Sequence, residues 1–162
     1  MSIVYFWSDL HLGHKNIHNF RQQFSSEREH FEYIKHQWYD TISKHDKVFL
    51  CGDICFTHES LVEFSKWPGR KVLIMGNHDT DRDLSIADLI YVYHEIHSLY
   101  KHKEFWLSHS PIHTDELRGK YNIHGHTHHH VINDDRYINV CVEQHTSPVS
   151  IDLLRKKIGE YS

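Results

Sequence analysis

Five short clusters carry side chains that can do chemistry: Asp9-x-His11, Gly52-Asp53, Gly76-Asn77-His78-Asp79, a lone His109, and Gly125-His126-x-His128. Together they offer carboxylate, amide and imidazole donors and no thiolate. Such a mixed nitrogen and oxygen set suits Mn, Fe, Zn, Ni or Co better than a structural zinc knot. Two cations held about 3.5–4 Å apart can share a water and lower its pKa, supplying hydroxide near neutral pH. Taken singly, each cluster has a plainer reading. A strand-end Asp9 caps a turn or helix, Gly52-Asp53 is an ordinary turn, and the region His124–His130 is a histidine-rich turn. Their joint occurrence, in order, each after its own apolar run, is what points to one site. The chain has 19 histidines among 162 residues. A two-metal site with an acid uses only a handful, so most are expected to be surface residues.

The elements that must position these clusters can be read from periodicity. Residues 2–7, Lys47–Cys51 and Lys71–Met75 are continuous apolar, β-rich runs, the pattern of strands buried on both faces. Residues 15–45 carry Phe31, Ile34, Trp38 and Ile42 at helical spacing, predicting one long helix with room for a short one before it. His58–Lys66 and Asp81–Ile90 read as further helices, with a turn at Pro68-Gly69. Tyr91–Ser98, Lys103–Ser108, Tyr121–His124 and Tyr137–Val142 read as strands in close succession, and Ser150–Ile158 as a closing helix. The expected fold is α/β, with an α/β first half and a second, meandering sheet. Ligand sites in open α/β sheets lie beyond the carboxyl ends of the strands, where all five clusters fall. The i, i+2 pairs are expected in extended chain, which puts both side chains on one side. The glycines before Asp53, Asn77 and His126 are expected to let the backbone turn sharply beside a cation.

Length and composition bound the rest. One domain over residues 1–162 is expected. No apolar run reaches the 18 or so residues of a membrane span. The segment Met1–Trp7 lacks a basic n-region, and three cysteines are too few and too odd for a disulfide framework, so a cytoplasmic, reducing location is expected. Cys51 and Cys55 bracket Asp53 and read as packing residues. A net charge of -4 supplies no global field for nucleic acid.

In order and spacing, these clusters resemble the calcineurin-like metallophosphoesterases, over essentially the whole span from Asp9 to His128. Ser8-Asp9-Leu10-His11-Leu12-Gly13-His14-Lys15-Asn16-Ile17 is similar to a small, single-domain bacterial and phage subgroup, as is the ending Asn139-Val140-Cys141-Val142-Glu143 with Pro148-Val149-Ser150. That subgroup has Gly-Val-Asp where this chain has Cys141-Val142-Glu143, so no role is carried over to that segment. The resemblance implies two packed mixed β-sheets flanked by helices, a four-layer α/β/β/α sandwich. It implies two divalent metals per chain, Mn first among the candidates. Asp9, His11, Asp53 and His128 would hold one, and Asp53, Asn77, His109 and His126 the other, with Asp53 bridging. His78 would protonate the leaving oxygen, oriented by Asp79.

Around this set several residues keep two readings. His14 and Asn16 are a helix cap or phosphate contacts. Arg82, Arg21 and Arg118 are surface charges or phosphate clamps. His113, His129 and His130 flank the cluster without completing it, and Tyr121 or Tyr137 could stack on a base. The leading functional expectation is a phosphodiesterase or phosphomonoesterase acting on a small nucleotide-like ester. A nuclease acting on DNA or RNA ends is the alternative; the lack of a long basic stripe counts against it. A non-catalytic, metal-bearing scaffold is the third, and a scaffold has no need of His78. No membrane partner is expected, and the sequence leaves oligomeric state and substrate open.

Overall fold

A computed structural model describes residues 1–161 of the chain. Strand β1 (Val4–Trp7), β2 (Lys47–Leu50), β3 (Arg70–Ile74) and β4 (Glu95–His97) are parallel neighbours. With β9 (Val149–Ser150) antiparallel to β1, they form a five-stranded mixed sheet of order β4-β3-β2-β1-β9. A second mixed sheet has the order β5-β6-β7-β8, from Tyr100–His102, Phe105–Ser108, Tyr121–His124 and Tyr137–Asn139. This is the two-sheet α/β sandwich expected from the sequence.

The period of two along each strand sorts residues into two cores. Trp7, Val48, Leu50 and Leu73 face one way, where they meet Phe31, Ile34 and Trp38 of α2 (Glu27–Thr41) and Leu61 and Phe64 of α3 (His58–Ser65). Phe6, Phe49, Val72 and Ile74 face the other way and meet Phe105, Leu107 and Ile123 of the second sheet. Strands buried on both faces cannot alternate polar and apolar residues, which is why the runs read as continuous. Helix α2 starts where the Ser26 hydroxyl accepts from Glu29 N, and α3 where Thr57 and Ser60 form a reciprocal capping box. Helix α5 (Ile151–Tyr161) turns Ile151 and Leu154 into the core between the sheets.

The region 15–45 holds the expected long helix, α2, with the short α1 (Ile17–Phe20) before it. Several other expected elements are placed differently. The helix expected over Asp81–Ile90 is only α4 (Ile86–Ile90), beginning at Ser85. The strand expected over Tyr91–Ser98 shrinks to β4 and joins the first sheet, parallel to β3, instead of the second. Val92 and Tyr93 bond back to Leu89 O and close α4, so the chain cannot extend until Glu95. Tyr137–Val142 ends as a strand at Asn139, because the Asn139 side chain accepts from Cys141 N and turns the chain. Ser150 belongs to β9, a two-residue strand too short to show a period, and the closing helix starts one residue later. Among the described residues no helix is long and apolar enough to cross a membrane.

Register brings the chemistry together. Trp7 pairs with Leu50 and Leu50 with Leu73, so β1, β2 and β3 end level. In the second sheet Ser108, His124 and Asn139 end level. A bridge between Ser8 and Cys141 joins the two sheets at that end.

Candidate metal centre

Every residue expected to hold a metal lies on a loop leaving one of these level strand ends. Asp9 and His11 follow β1, Asp53 follows β2, Asn77 follows β3, His109 follows β6, and His126 and His128 follow β7. The i, i+2 pairs are not in extended chain. Asp9 (φ 58°), His11 (φ 51°), Asp53 (φ 57°), His126 (φ 67°) and His128 (φ 48°) all lie in the left-handed region, which among the described non-glycine residues only Lys103 and Arg118 share. Asp and His tolerate that region better than most residues, yet each still costs on the order of 1–3 kcal/mol. Tertiary contacts therefore have to hold these loops in place.

The close approach of the loops depends on glycines that have no room for a Cβ. A Cβ on Gly76 would fall on the Asp53 carboxylate and crowd His109 Nδ1. A Cβ on Gly125 would fall on Ser8 Oγ and the Asp9 carboxylate. Gly76 and Gly125 need no positive φ and serve by lacking a side chain, whereas Gly52 (φ 91°) makes the sharp turn expected before Asp53 and also leaves no room for a Cβ beside His109 Nδ1.

Two donor groups result. In the first, Asp9 Oδ2 accepts from Ser8 Oγ (2.6 Å), His126 N (2.9 Å) and Cys141 Sγ (3.2 Å). Its other oxygen, Oδ1, is buried with no hydrogen-bond partner, as is His11 Nε2. Oδ1 lies 3.5 Å from both His11 Nε2 and His128 Nε2. In the second group, His109 Nε2 stands 2.9 Å from Asn77 Oδ1, 3.0 Å from His126 Nδ1 and 3.4 Å from Asp53 Oδ2. Asp53 Oδ2 is also 3.9 Å from His11 Nε2, so it faces both groups. A cation with bonds of about 2.0–2.2 Å to adjacent ligands needs donors about 3–3.5 Å apart, and these separations fit. A buried carboxylate oxygen and a buried imidazole nitrogen left without partners are what a cation would satisfy. The geometry also sorts the donors as Asp9–His11–His128 and Asp53–His109–His126.

The electrostatics prepare the donors. Burial raises the Asp9 and Asp53 carboxyls, but the neighbouring imidazoles, His11 and His109 respectively, outweigh it and hold both below the usual carboxylate range. Burial holds His11 below its usual pKa, leaving it neutral with a free lone pair. His109 donates from Nδ1 to Cys51 O (2.7 Å), which turns Nε2 toward the donors. Burial lowers its pKa, yet Asp53 and Asp9 lift it to about 9, so the pocket draws positive charge.

Asp79 is placed differently from the expectation. It is buried, and its carboxylate accepts from Gly76 N (2.7 Å), Asp53 N (3.0 Å) and Ile54 N (3.0 Å). It ties the β2 and β3 loops together, and burial raises its pKa despite those amides. The carboxylate hydrogen-bonded to the His78 ring is Asp81, Oδ2 to Nδ1 at 2.7 Å. With both Asp79 oxygens taken by those amides, its carboxylate makes no bond to the His78 ring. His78 itself sits beside the centre, its backbone N–H donating to Asp53 Oδ1 (2.8 Å).

The remaining candidates divide. His14 and Arg82 share a wall with His78, all three packed about the ring of Phe56. Asn16 is the N-cap position of α1, but its side chain makes no capping bond. Arg21 is neither a surface charge nor a phosphate clamp. It is buried, and its guanidinium donates to Leu10 O (3.2 Å), Asp9 O and Glu143 Oε1. Arg118 pairs with Glu116, and His113 turns to Asp115 N. His129 and His130 are exposed, outside both donor groups. Tyr137 donates to Ile112 O, away from the centre. Cys51 and Cys55 are buried packing residues.

Four further residues act at the site without a sequence signal of their own. Glu143 Oε1 lies 3.0 Å from His128 Nδ1 and takes Arg21 on the same oxygen. Burial raises Glu143, but His128 and Arg21 bring it to about 2. Asn139 donates to His128 O (3.0 Å), Thr127 Oγ1 and His130 O and braces the left-handed loop. Ser8 and Cys141 fix Asp9. The spacing from Asn139 to Glu143 was the available signal, and it pointed to no role until the fold set it against Asp9 and His128.

No family model matches the chain. A protein of unknown function from Aquifex aeolicus shares the fold with a TM-score of 0.75 and 25% identity, over 96% of this chain and 99% of its own. Nuclease MPE of Pseudomonas putida shares the fold more distantly, with a TM-score of 0.54 and 20% identity over 77% of this chain and 61% of its own. The Gene 66 protein of Mycobacterium phage D29 is 29% identical over 99% of this chain and 98% of its own. That of Mycobacterium phage L5 is 31% identical over 79% of this chain and 78% of its own. The chain belongs to the family of these mycobacteriophage Gene 66 proteins.

Proposed function

We propose that the chain is a phosphoesterase of the calcineurin-like kind that uses two divalent cations, manganese first among them, to hydrolyse a small nucleotide-like phosphate ester. The observation that carries this reading is Asp53 Oδ2, set 3.4 Å from His109 Nε2 and 3.9 Å from His11 Nε2, between two donor groups of which the first holds the orphaned buried atoms Asp9 Oδ1 and His11 Nε2. Bound at these groups, the cations supply Lewis-acid charge and an activated water. Asp9, His11, Asp53 and His128 would hold one, and Asp53, Asn77, His109 and His126 the other. The chain's own contribution is to fix the donors and to bring a proton. His78, partly exposed beside Asp53 and held through Nδ1 by Asp81, has its Nε2 free for the leaving oxygen. Arg82 and His14 flank the same opening and can meet phosphate oxygens.

A nuclease is the second reading, favoured by the nuclease among the solved structures of this fold. The small basic clusters Lys101-His102-Lys103 and Arg155-Lys156-Lys157 lend it little, since Arg155 is tied to Glu104 and the net charge is -4. A metal-bearing scaffold would leave the His78–Asp81 pair without use. The deciding assay is hydrolysis of bis-p-nitrophenyl phosphate and p-nitrophenyl phosphate by metal-stripped protein, before and after Mn²⁺ is restored, beside His78→Ala. Metal-dependent release is expected, and the variant should fall further behind wild type on an ester with a poor leaving group than on these p-nitrophenyl esters, whose phenolate needs little protonation. No release with Mn²⁺, Fe²⁺, Co²⁺, Ni²⁺ or Zn²⁺ from protein shown to bind two metals would sink the enzyme reading.

A further inference from the structure

Phe20 leaves 71% of its surface in solvent. Single exposed apolar side chains are ordinary, but this one stands on an anchored backbone. Ile17 at the start of α1 is buried, and Arg21, next after Phe20, is buried and bonded to Asp9 O, Leu10 O and Glu143. The ring is thus presented to water from a short helix pinned at both ends.

Phe20 also begins a continuous ledge. Its ring meets His14 edge-on, with centroids 5.5 Å apart at 73°. His14 lies nearly parallel to His11, at 6.2 Å and 8°, and both rest on Phe56, at 5.4 and 4.8 Å. Arg82 covers Phe56 at 5.2 Å and His78 at 5.6 Å completes the row. One end of the ledge is a candidate metal ligand, His11. The other is an exposed aromatic face with no ring lying over it. Planar rings stack on such faces, and every nucleobase offers one. A cation at Arg82 suits the phosphate that a nucleotide carries. An aliphatic or sugar phosphate has nothing to place on Phe20.

We infer that Phe20 and His14 form a stacking subsite for the unpaired base of a nucleotide whose phosphate lies at the candidate metal centre. The inference rests on the phosphoesterase reading for the phosphate's position but not for the stacking itself. Phe20 is then a specificity residue, acting on binding of the base.

The test compares thymidine 5′-(p-nitrophenyl phosphate) with methyl p-nitrophenyl phosphate, which share a leaving group and differ in the base. The wild-type protein with Mn²⁺ should prefer the thymidine ester. Phe20→Ala should lower the kcat/KM ratio of the two esters about 5-fold or more, chiefly through KM. Phe20→Tyr should restore the ratio and Phe20→Leu should not, since it keeps apolar area without a ring. A ratio equal to wild type in Phe20→Ala overturns the subsite. If neither ester turns over, the phosphoesterase reading fails separately, and titration calorimetry with thymidine 5′-monophosphate decides the subsite alone. Binding at least about 5-fold weaker in Phe20→Ala supports it; equal affinities, or none in wild type, reject it. Sedimentation showing that wild type pairs and Phe20→Ala does not would assign the ledge to a second copy of the chain instead.

Discussion

The two donor groups of the centre are held by different means. The Asp9–His11–His128 group is the more enclosed, with Asp9 buried and His11 and His128 partly so, and is braced by side chains. Arg21, linked to His30 Nε2 at 2.8 Å and to Glu143, grips the Asp9 and Leu10 carbonyls, and Glu143 in turn orients His128. The Asp53–Asn77–His109–His126 group is more open, with Asn77 and His126 exposed. Backbone braces it: three amides on Asp79, and the Cys51 carbonyl on His109. A backbone brace survives most substitutions. An ion network built from distant side chains fails when one member is changed, because its partner is left buried and unpaired. The first group should therefore be the tighter and more breakable, the second the weaker and more tolerant.

The largest effect should come from the residue the two groups share. Asp53→Ala should bind neither cation and lose essentially all turnover, because its carboxylate faces both groups. Two metals per chain by elemental analysis of that variant would refute the bridging role.

Next in size is the acid. His78→Ala should keep both metals and lose about 10²–10⁴-fold in kcat on esters with poor leaving groups. Asp81→Asn should cost less than His78→Ala and shift the pH profile, whereas a change of that kind at Asp79 should first loosen the loops and the metals. Full activity in His78→Ala would remove it as the acid.

A smaller and one-sided effect separates the groups directly. Glu143→Gln should weaken the first cation about 10–100-fold, as loss of a carboxylate behind a ligating histidine does, while sparing the second. In wild type, graded chelation should strip the open Asp53–His109 group first. Equal weakening of both cations in Glu143→Gln would mean that the groups are not braced independently.

The smallest effect is in pH. His30 is fully buried, and burial with the charge of Arg21 holds its pKa at about 3, below the unfolded value of about 6.5. Its neutral form is therefore favoured in the fold. The stability it contributes is complete above pH 6.5 and is lost as pH falls from there toward 3. Urea midpoints of metal-stripped protein should drop across that window, and less steeply in His30→Gln. Identical slopes would place the acid sensitivity elsewhere.

Legibility in the sequence followed a physical line. The three buried strands, helix α2 and the strand-end placing of the seven candidate donors were readable, because burial on both faces leaves continuous apolar runs and strand-end loops collect Asp and His. Short elements were not. The span Tyr91–Ser98 looked like one strand of the second sheet, but the end of α4 consumed its first half and sheet order claimed the rest. The role of Asp79 was misread because chain adjacency to His78 suggested a contact, whereas its carboxylate is taken up by the amides of Gly76, Asp53 and Ile54.

The sequence by itself determined the donor types, their order and their attachment to strand ends, since these depend on local chemistry and on runs of a few residues. Only the tertiary structure decided how those donors divide between two groups. It alone bent five of them into left-handed backbone and set Arg21, Asn139 and Glu143 behind them. Such relations join positions as far apart as Asp9 and Cys141, whose contact is set by the register of two sheets and not by any spacing along the chain.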